Sequence, residues 1–335
     1  MQQLTVGVIG LAAGMNLQCY FLHRMPERYR MKWLCDLDEA KTSKGTEEYG
    51  GQGTTDLNDI LNDDEVDLIT IATPVRTHVE LAKQALKAGK HVLVEKPIAV
   101  SVAEADELIQ CARGAGKILC VDHERRFYAN QKAVDAVVKG GEIGKVLSVR
   151  MELPLASVKG LEKPADPKTW IDRFVVTPGY DYLVHHVDQV CLLLGEKPQK
   201  VFGRYQTLTE NDLPCEMEIA MIMPSGIMAT IGLHYSFAPE MKWLVNGEKG
   251  SLRMQFANDM GPCFVYQSLP DGAKRVREIL PSCTSQESFI EFYRRLYEAI
   301  VEGKSVPATA EDARDAVKVI WLALESARSG KIVNC

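Results

Sequence analysis

Leu4-Thr5-Val6-Gly7-Val8-Ile9 runs without a break into Gly10-Leu11-Ala12-Ala13-Gly14-Met15, and this junction decides how the chain is read. A short, largely apolar run without strict polar alternation describes a strand buried on both faces, the habit of parallel sheets. The glycines that follow open a helix where a dinucleotide-binding loop would read G-x-G-x-x-G. Gly10 supplies the tight turn, Ala12 stands where a glycine lets backbone approach a pyrophosphate, and Met15 holds the helix-packing position beside Gly14. Backbone N–H groups over Leu11, Ala12, Ala13, Gly14 and Met15, aided by the helix dipole, are suited to a pyrophosphate. By itself the loop reads equally as a glycine-containing strand-to-helix turn.

Working outward, further short apolar runs at residues 31–35, 68–72, 91–95 and 118–121 alternate with helical stretches, the pattern of a sheet wound with helices on both faces. Gly89 closes a helix that begins near His78. Ser101 and Glu104 form a capping box for another, which Gly116 ends. The second run ends at Asp36, 21 residues past Met15, close to the spacing of about 20 expected for a carboxylate on the adenosine ribose. Such a carboxylate accepts hydrogen bonds from the 2′-hydroxyl and repels a 2′-phosphate, and Leu37 brings no cation, so NAD is expected over NADP. The other reading of Asp36 is a surface aspartate capping the following turn.

After residue 121 the pattern changes to a helix at 130–139, strands at 146–153, 200–208, 216–223, 228–234 and 242–245, and helices at 286–302 and 311–329. Successive strands with few helices between them predict an α+β domain built on a mostly antiparallel open sheet. The expected fold is therefore α/β: a Rossmann doubly wound parallel sheet over residues 1–122, followed by an α+β domain over 123–335.

With 335 residues, 46% of them hydrophobic, the chain can bury a sizeable core in two domains. A formal net charge of -6, without a compensating basic cluster, argues against a nucleic-acid partner. No apolar run is long enough to cross a bilayer, and Met1-Gln2-Gln3-Leu4 lacks the basic stretch of a signal peptide, so no membrane association and a cytoplasmic location are expected. The nine cysteines form no C-x-x-C pair, which points to reduced, mostly buried thiols rather than a disulfide framework or a structural zinc site.

Ala72-Thr73-Pro74, His78 and the stretch Ala88-Gly89-Lys90-His91-Val92-Leu93-Val94-Glu95-Lys96-Pro97 together resemble the hallmark of the glucose-fructose oxidoreductase, inositol dehydrogenase and rhizopine catabolism (Gfo/Idh/MocA) family. The resemblance continues through Arg125-Arg126-Phe127, the turn from Gly141 to Val146, Gly247-Glu248-Lys249-Gly250-Ser251-Leu252 and Ser329-Gly330-Lys331. Thr73-Pro74 and Glu95-Lys96-Pro97 each follow a strand, at the sheet edge where such folds bind ligands. A lysine there puts a cation beside the nicotinamide and the reacting oxygen. The resemblance implies that Thr73, Pro74, His78, Glu95, Lys96 and Arg126 join the cofactor set. It also implies that Lys96 belongs to the active site in the cleft between the domains, and that the Lys96-Pro97 bond is cis. It further implies a sugar or polyol substrate, and a homodimer or homotetramer formed through the C-terminal sheet.

Asp181-Tyr182-Leu183-Val184-His185-His186-Val187-Asp188 resembles the family's D-x-G-x-H-x-x-D segment, with Leu183 where glycine is usual. On a helix Asp181, His185 and Asp188 share a face and His186 turns away by about 100°. A secondary alcohol releases hydride only as its proton leaves, and an imidazole suits that proton near neutral pH, so His185 is the expected general base. Asp181 orients the imidazole or holds substrate. Asp188 orients it or forms a local salt bridge. The same spacing permits a metal, but no Cys or Glu ligand joins it at a recognisable interval, so none is expected. Trp170, Arg173 and Arg126 are substrate contacts or domain packing. Two departures sit where substrate is shaped: Val176-Thr177-Pro178-Gly179 replaces the usual glycine pair, and Glu124 replaces the usual asparagine before the double arginine.

The resulting expectation is a dehydrogenase of sugars, inositols or related polyols. The alternatives are an enzyme that recycles NAD within each turnover during elimination, epimerisation or glycoside cleavage, an aromatic dihydrodiol dehydrogenase, and a non-catalytic dinucleotide sensor.

Overall fold

The computed structural model describes residues 2–155, 174–175, 177–207, 214–235, 241–256, 261–269 and 272–335. The chain divides into two compact units, Met1–His123 with Phe289–Val317, and Glu124–Ser288 with Lys318–Cys335.

In the first unit β1 (Leu4–Ile9) leads into a π turn (Met15–Cys19) continued by α1 (Tyr20–His23). There follow β2 (Tyr29–Cys35), α2 (Glu39–Tyr49), β3 (Gln52–Thr54), α3 (Leu57–Leu61), β4 (Leu68–Ile71), α4 (Val75–Lys87), β5 (His91–Val94), α5 (Val102–Ala115) and β6 (Leu119–Val121). The strands form one parallel sheet in the order β3-β2-β1-β4-β5-β6, so the chain reverses direction across the sheet between β1 and β4, the point at which doubly wound sheets bind ligands. β1 and β4 are buried at every position, as their unbroken apolar runs require. The capping box at α5 forms: Ser101 Oγ accepts from Glu104 N–H at 3.2 Å, Glu104 Oε2 accepts from Val100 N–H, and Gly116 ends the helix in the left-handed conformation.

In the second unit α6 (Ala129–Lys139) and β7 (Val146–Leu155) precede α7 (Pro178–Leu194). Then come β8 (Lys200–Thr207), β9 (Pro214–Ile222), β10 (Met228–Tyr235), β11 (Met241–Gly247), β12 (Gly250–Phe256), β13 (Cys263–Ser268) and β14 (Lys274–Ile279). α8 (Ser285–Glu302), α9 (Ala310–Ser329) and β15 (Val333–Asn334) close the chain. The nine strands run in the order β14-β13-β12-β11-β7-β10-β9-β8-β15, antiparallel except where β7 and β10 pair in parallel. One face packs under α6, α7 and the end of α9. At Gly203 on β8 an added Cβ would lie 2.1 Å from the Ala323 carbonyl oxygen, so α9 sits directly on strand backbone, and Gly203 N–H donates to Ser326 Oγ. The opposite face exposes Arg150, Phe202, Glu218, Lys242 and Arg253.

The helix read at 286–302 is present, but most of it belongs with the first unit rather than with a domain starting at 123. Its buried stripe Phe292, Tyr293, Leu296 and Tyr297 explains this. Phe289 stacks on Phe21 at 4.4 Å, the Tyr29 hydroxyl donates to Tyr293 O, and the Tyr293 hydroxyl donates to Asp122 Oδ2. Helical periodicity gives the stripe but not the core it enters.

Candidate active site

The nucleotide turn is built around Gly10. Its φ is +90°, and a Cβ there would fall 2.6 Å from the Ala72 carbonyl oxygen and 2.8 Å from Thr73 Cγ2, so the ends of β1 and β4 close on each other with no room for a side chain. Ala12 and Ala13 are exposed at the mouth of the turn. Gly14 supplies the close helix-to-strand packing, since its Cβ would meet Ala72 Cβ at 3.2 Å. Met15 is buried, its sulfur 3.9 Å from where a Cβ on Gly45 of α2 would lie.

Asp36 stands beside this turn. Its Oδ2 accepts from Leu11 N–H at 2.8 Å, Oδ1 accepts from Asp38 N–H at 3.0 Å, and Lys41 Nζ lies 3.4 Å from Oδ1. Burial pushes the carboxyl up, but the two N–H bonds and Lys41 outweigh it and hold Asp36 below the usual aspartate value. Each carboxylate oxygen keeps acceptor capacity for a ribose hydroxyl. The turn without a Cβ, the exposed loop backbone and this carboxylate fit a dinucleotide. Lys41, one helical turn beyond Leu37, is the cation next to Asp36.

The ends of β4 and β5 carry the rest of the first unit's set. His78, in the first turn of α4, is buried, with Nε2 2.7 Å from Thr73 O and Nδ1 2.9 Å from Pro97 O. Each ring nitrogen thus faces a strand-end carbonyl, and in the neutral ring one of the two carries the hydrogen that donates. Burial pushes His78 below the ordinary histidine value, the carbonyl contacts oppose this, and the Lys96 charge adds to it. Thr73 Oγ1 accepts from Thr77 Oγ1 at 2.8 Å, and Pro74 is exposed. Glu95 is buried and its N–H donates to Ile71 O. The Lys96-Pro97 bond is cis. Lys96 alone is not buried within the run from Val92 to Val100. Near the turn, burial, seconded by Glu48, pushes the Cys19 thiol up to about 12, which disfavours its thiolate.

The second unit carries α7 and the 3-10 turn Glu124–Phe127. Thr177 caps α7 by accepting from Tyr180 N–H at 3.3 Å, Pro178 fills its first turn, and Gly195 ends it in the left-handed conformation. Tyr180, Leu183, Val184, Val187 and Val190 form its buried stripe. His186 turns its Nδ1 to Tyr182 O at 2.7 Å, which leaves His185 as the histidine on the Asp181 face. His185 is buried, with Nε2 3.9 Å from Glu124 Oε2. Asp188 is engaged by Arg126, whose Nε donates to Oδ2 at 2.8 Å and whose terminal nitrogen donates to Oδ1. Arg126, expected among the cofactor contacts, therefore makes a buried two-point ion pair in the second unit. Trp170 and Arg173 lie outside the described residues. Among the described residues no group of three or more His, Cys, Asp or Glu is arranged to hold a metal ion, and no helix is long and apolar enough to cross a membrane.

Two family models match the chain: the oxidoreductase family, NAD-binding Rossmann fold, over residues 4–123, and the oxidoreductase family, C-terminal alpha/beta domain, over residues 136–335. The chain belongs to the Gfo/Idh/MocA family. Among its Gfo/Idh/MocA relatives are the scyllo-inositol 2-dehydrogenase (NADP(+)) IolW of Bacillus subtilis, 23% identical over 83% of this chain and 81% of the relative, and the myo-inositol 2-dehydrogenase of Thermotoga maritima, 24% identical over 98% of each. The solved structure of a levoglucosan dehydrogenase in complex with NADH and levoglucosan shares the fold with a TM-score of 0.87, at 20% identity over 99% of both chains.

Proposed function

We propose that this member of the Gfo/Idh/MocA family is an NAD-dependent dehydrogenase acting on a secondary alcohol of a sugar, inositol or related polyol. The observation that carries the reading is Lys96: the one residue from Val92 to Val100 that is not buried, at the ligand-binding edge of a nucleotide-type sheet. Relatives that match 83% and 98% of this chain and are named as inositol dehydrogenases support the substrate class. Bound NAD supplies the hydride acceptor. Lys96 binds the reacting oxygen and stabilises the alkoxide as it forms, His185 takes the hydroxyl proton, and Asp181 holds the substrate or the imidazole. A homo-oligomer joined through the exposed face of the nine-stranded sheet and a cytoplasmic location complete the proposal.

The test is NADH formation by the purified protein offered NAD with a panel of inositols, aldoses, sugar acids and glycosides. Turnover of at least one member is expected, and Lys96→Met is expected to lower kcat/KM by about two to three orders of magnitude. NAD binding without NADH formation across the panel would overturn the reading in favour of cofactor recycling or sensing. The Asp36 carboxylate favours NAD, although Lys41 at 3.4 Å offsets part of its repulsion of a 2′-phosphate. NAD is expected to bind about tenfold more tightly than NADP or better. A fluorescence titration of both cofactors checks this, with Asp36→Ala expected to erase the difference.

A further inference from the structure

We infer that Glu124 is a positioning residue for His185, its carboxylate serving as counter-ion to the imidazolium that forms when His185 takes the substrate proton. The inference rests on the dehydrogenase reading above. It starts from a placement: the carboxylate of Glu124 stands at the head of the 3-10 turn Glu124–Phe127, directly before the double arginine. In the fold that carboxylate faces the imidazole, with Oε2 3.9 Å from Nε2, a distance at which opposite charges act on each other without a hydrogen bond.

The surroundings hold the group in place. Arg126, two residues on, forks onto Asp188, one helical turn past His185, and so fixes the 3-10 turn against α7. The Tyr128 hydroxyl lies 3.4 Å from Glu124 Oε1 and Arg125 Nε 4.0 Å from the same oxygen, which leaves Oε2 turned toward the histidine. Both partners are buried, so solvent screens the pair weakly.

The charged groups around His185 among the described residues come from several elements. The turn contributes Glu124, Arg125 and Arg126, and α7 contributes Asp181 and Asp188. Arg126 and Asp188 neutralise each other, and Arg125 spreads its guanidinium over the Tyr128 and Tyr182 rings. α6 meets α7 through the neutral pair Gln131 and Gln189, and the strands beneath offer apolar side chains such as Met151, Ile219 and Leu233. In the reaction the hydroxyl proton passes to the imidazole; NAD, when bound, would accept the hydride from the carbon that carries that hydroxyl. Glu124 gains and loses no proton; its fixed negative charge favours the imidazolium in the transition state.

The experiment follows the His185 ring resonances of the full chain labelled at histidine, assigned by their loss in His185→Asn, through a pH titration. Glu124→Gln, which keeps size and hydrogen bonding but removes the charge, is expected to lower the His185 midpoint by about one unit or more, and Glu124→Asp, which withdraws the charge by one methylene, by less. The acidic limb of kcat/KM is expected to move to lower pH by the same amount, with KM for NAD unchanged. A midpoint unmoved in Glu124→Gln overturns the inference. Should that variant fail to fold, Glu124→Asp decides in the same way, since its midpoint must also fall. The titration needs no turnover, so its result stands apart from the functional reading: a His185→Asn variant that keeps full NADH formation sinks that reading whatever the midpoint does.

Discussion

His185→Asn is expected to lower turnover by about two to four orders of magnitude while leaving NAD affinity within a factor of about two. Asparagine retains a polar planar group close to the position of the imidazole but cannot accept a proton near neutral pH, so the alcohol must lose hydride with its proton still in place. The site favours a clean result. His185 is 2% exposed on a helix capped at both ends, and the smaller amide leaves the buried stripe on the other face of α7 untouched. The substitution leaves the Gly10 turn and the Asp36 carboxylate unchanged, which is why cofactor affinity is expected to hold. The neighbouring histidine is the control. His186 turns Nδ1 to the Tyr182 carbonyl and is fully buried, so His186→Asn is expected to cost stability through lost packing rather than the chemical step. Steady-state kinetics of both variants on one responsive substrate decide the matter. A His185→Asn enzyme within tenfold of the native rate would remove the imidazole from the mechanism.

How much of this was legible in the sequence follows from the range of the forces involved. Strands buried on both faces leave unbroken apolar runs, so β1, β4 and β5 were readable to within a residue. β3 has three residues, pairs only with β2 and buries one side chain, so it leaves no pattern. β14, Lys-Arg-Val-Arg-Glu-Ile, edges the nine-stranded sheet and is charged at four of six positions, which protects an edge and hides a strand. Local spacings carried the tight turn at Gly10 and the capping box at Ser101, and Asp36 reaches back only 25 positions to the Leu11 N–H. His78 was visible as a motif residue, but its buried ring sits between the carbonyls of residues 73 and 97, a placement no spacing declares. Arg126 and Asp188 are separated by 62 positions, and the pair exists because a 3-10 turn and α7 pack together. Glu124 registered as a break in a pattern, and only the fold turned it toward His185.

Arg126→Met is expected to destabilise the protein by about 3–5 kcal/mol, because it strips the partner from an aspartate that cannot reach water. The side chains of Arg126 and Asp188 are 8% and 2% exposed, and both carboxylate oxygens accept from the guanidinium. Methionine fills much of the arginine stem volume, so the loss comes from leaving Asp188 buried without its cation rather than from an empty cavity. The midpoint of urea unfolding, with its slope unchanged, is the measure. The double variant Arg126→Met with Asp188→Leu separates the causes. An apolar pair of similar size in place of a buried ion pair is often neutral or better, so the double variant is expected to regain most of the stability. It should not regain full activity, because nothing then forks the Glu124 turn onto α7. A single variant within about 1 kcal/mol of the native protein would mean that Asp188 finds water or another donor when Arg126 is gone. In that case the turn owes its position to apolar packing and not to the ion pair.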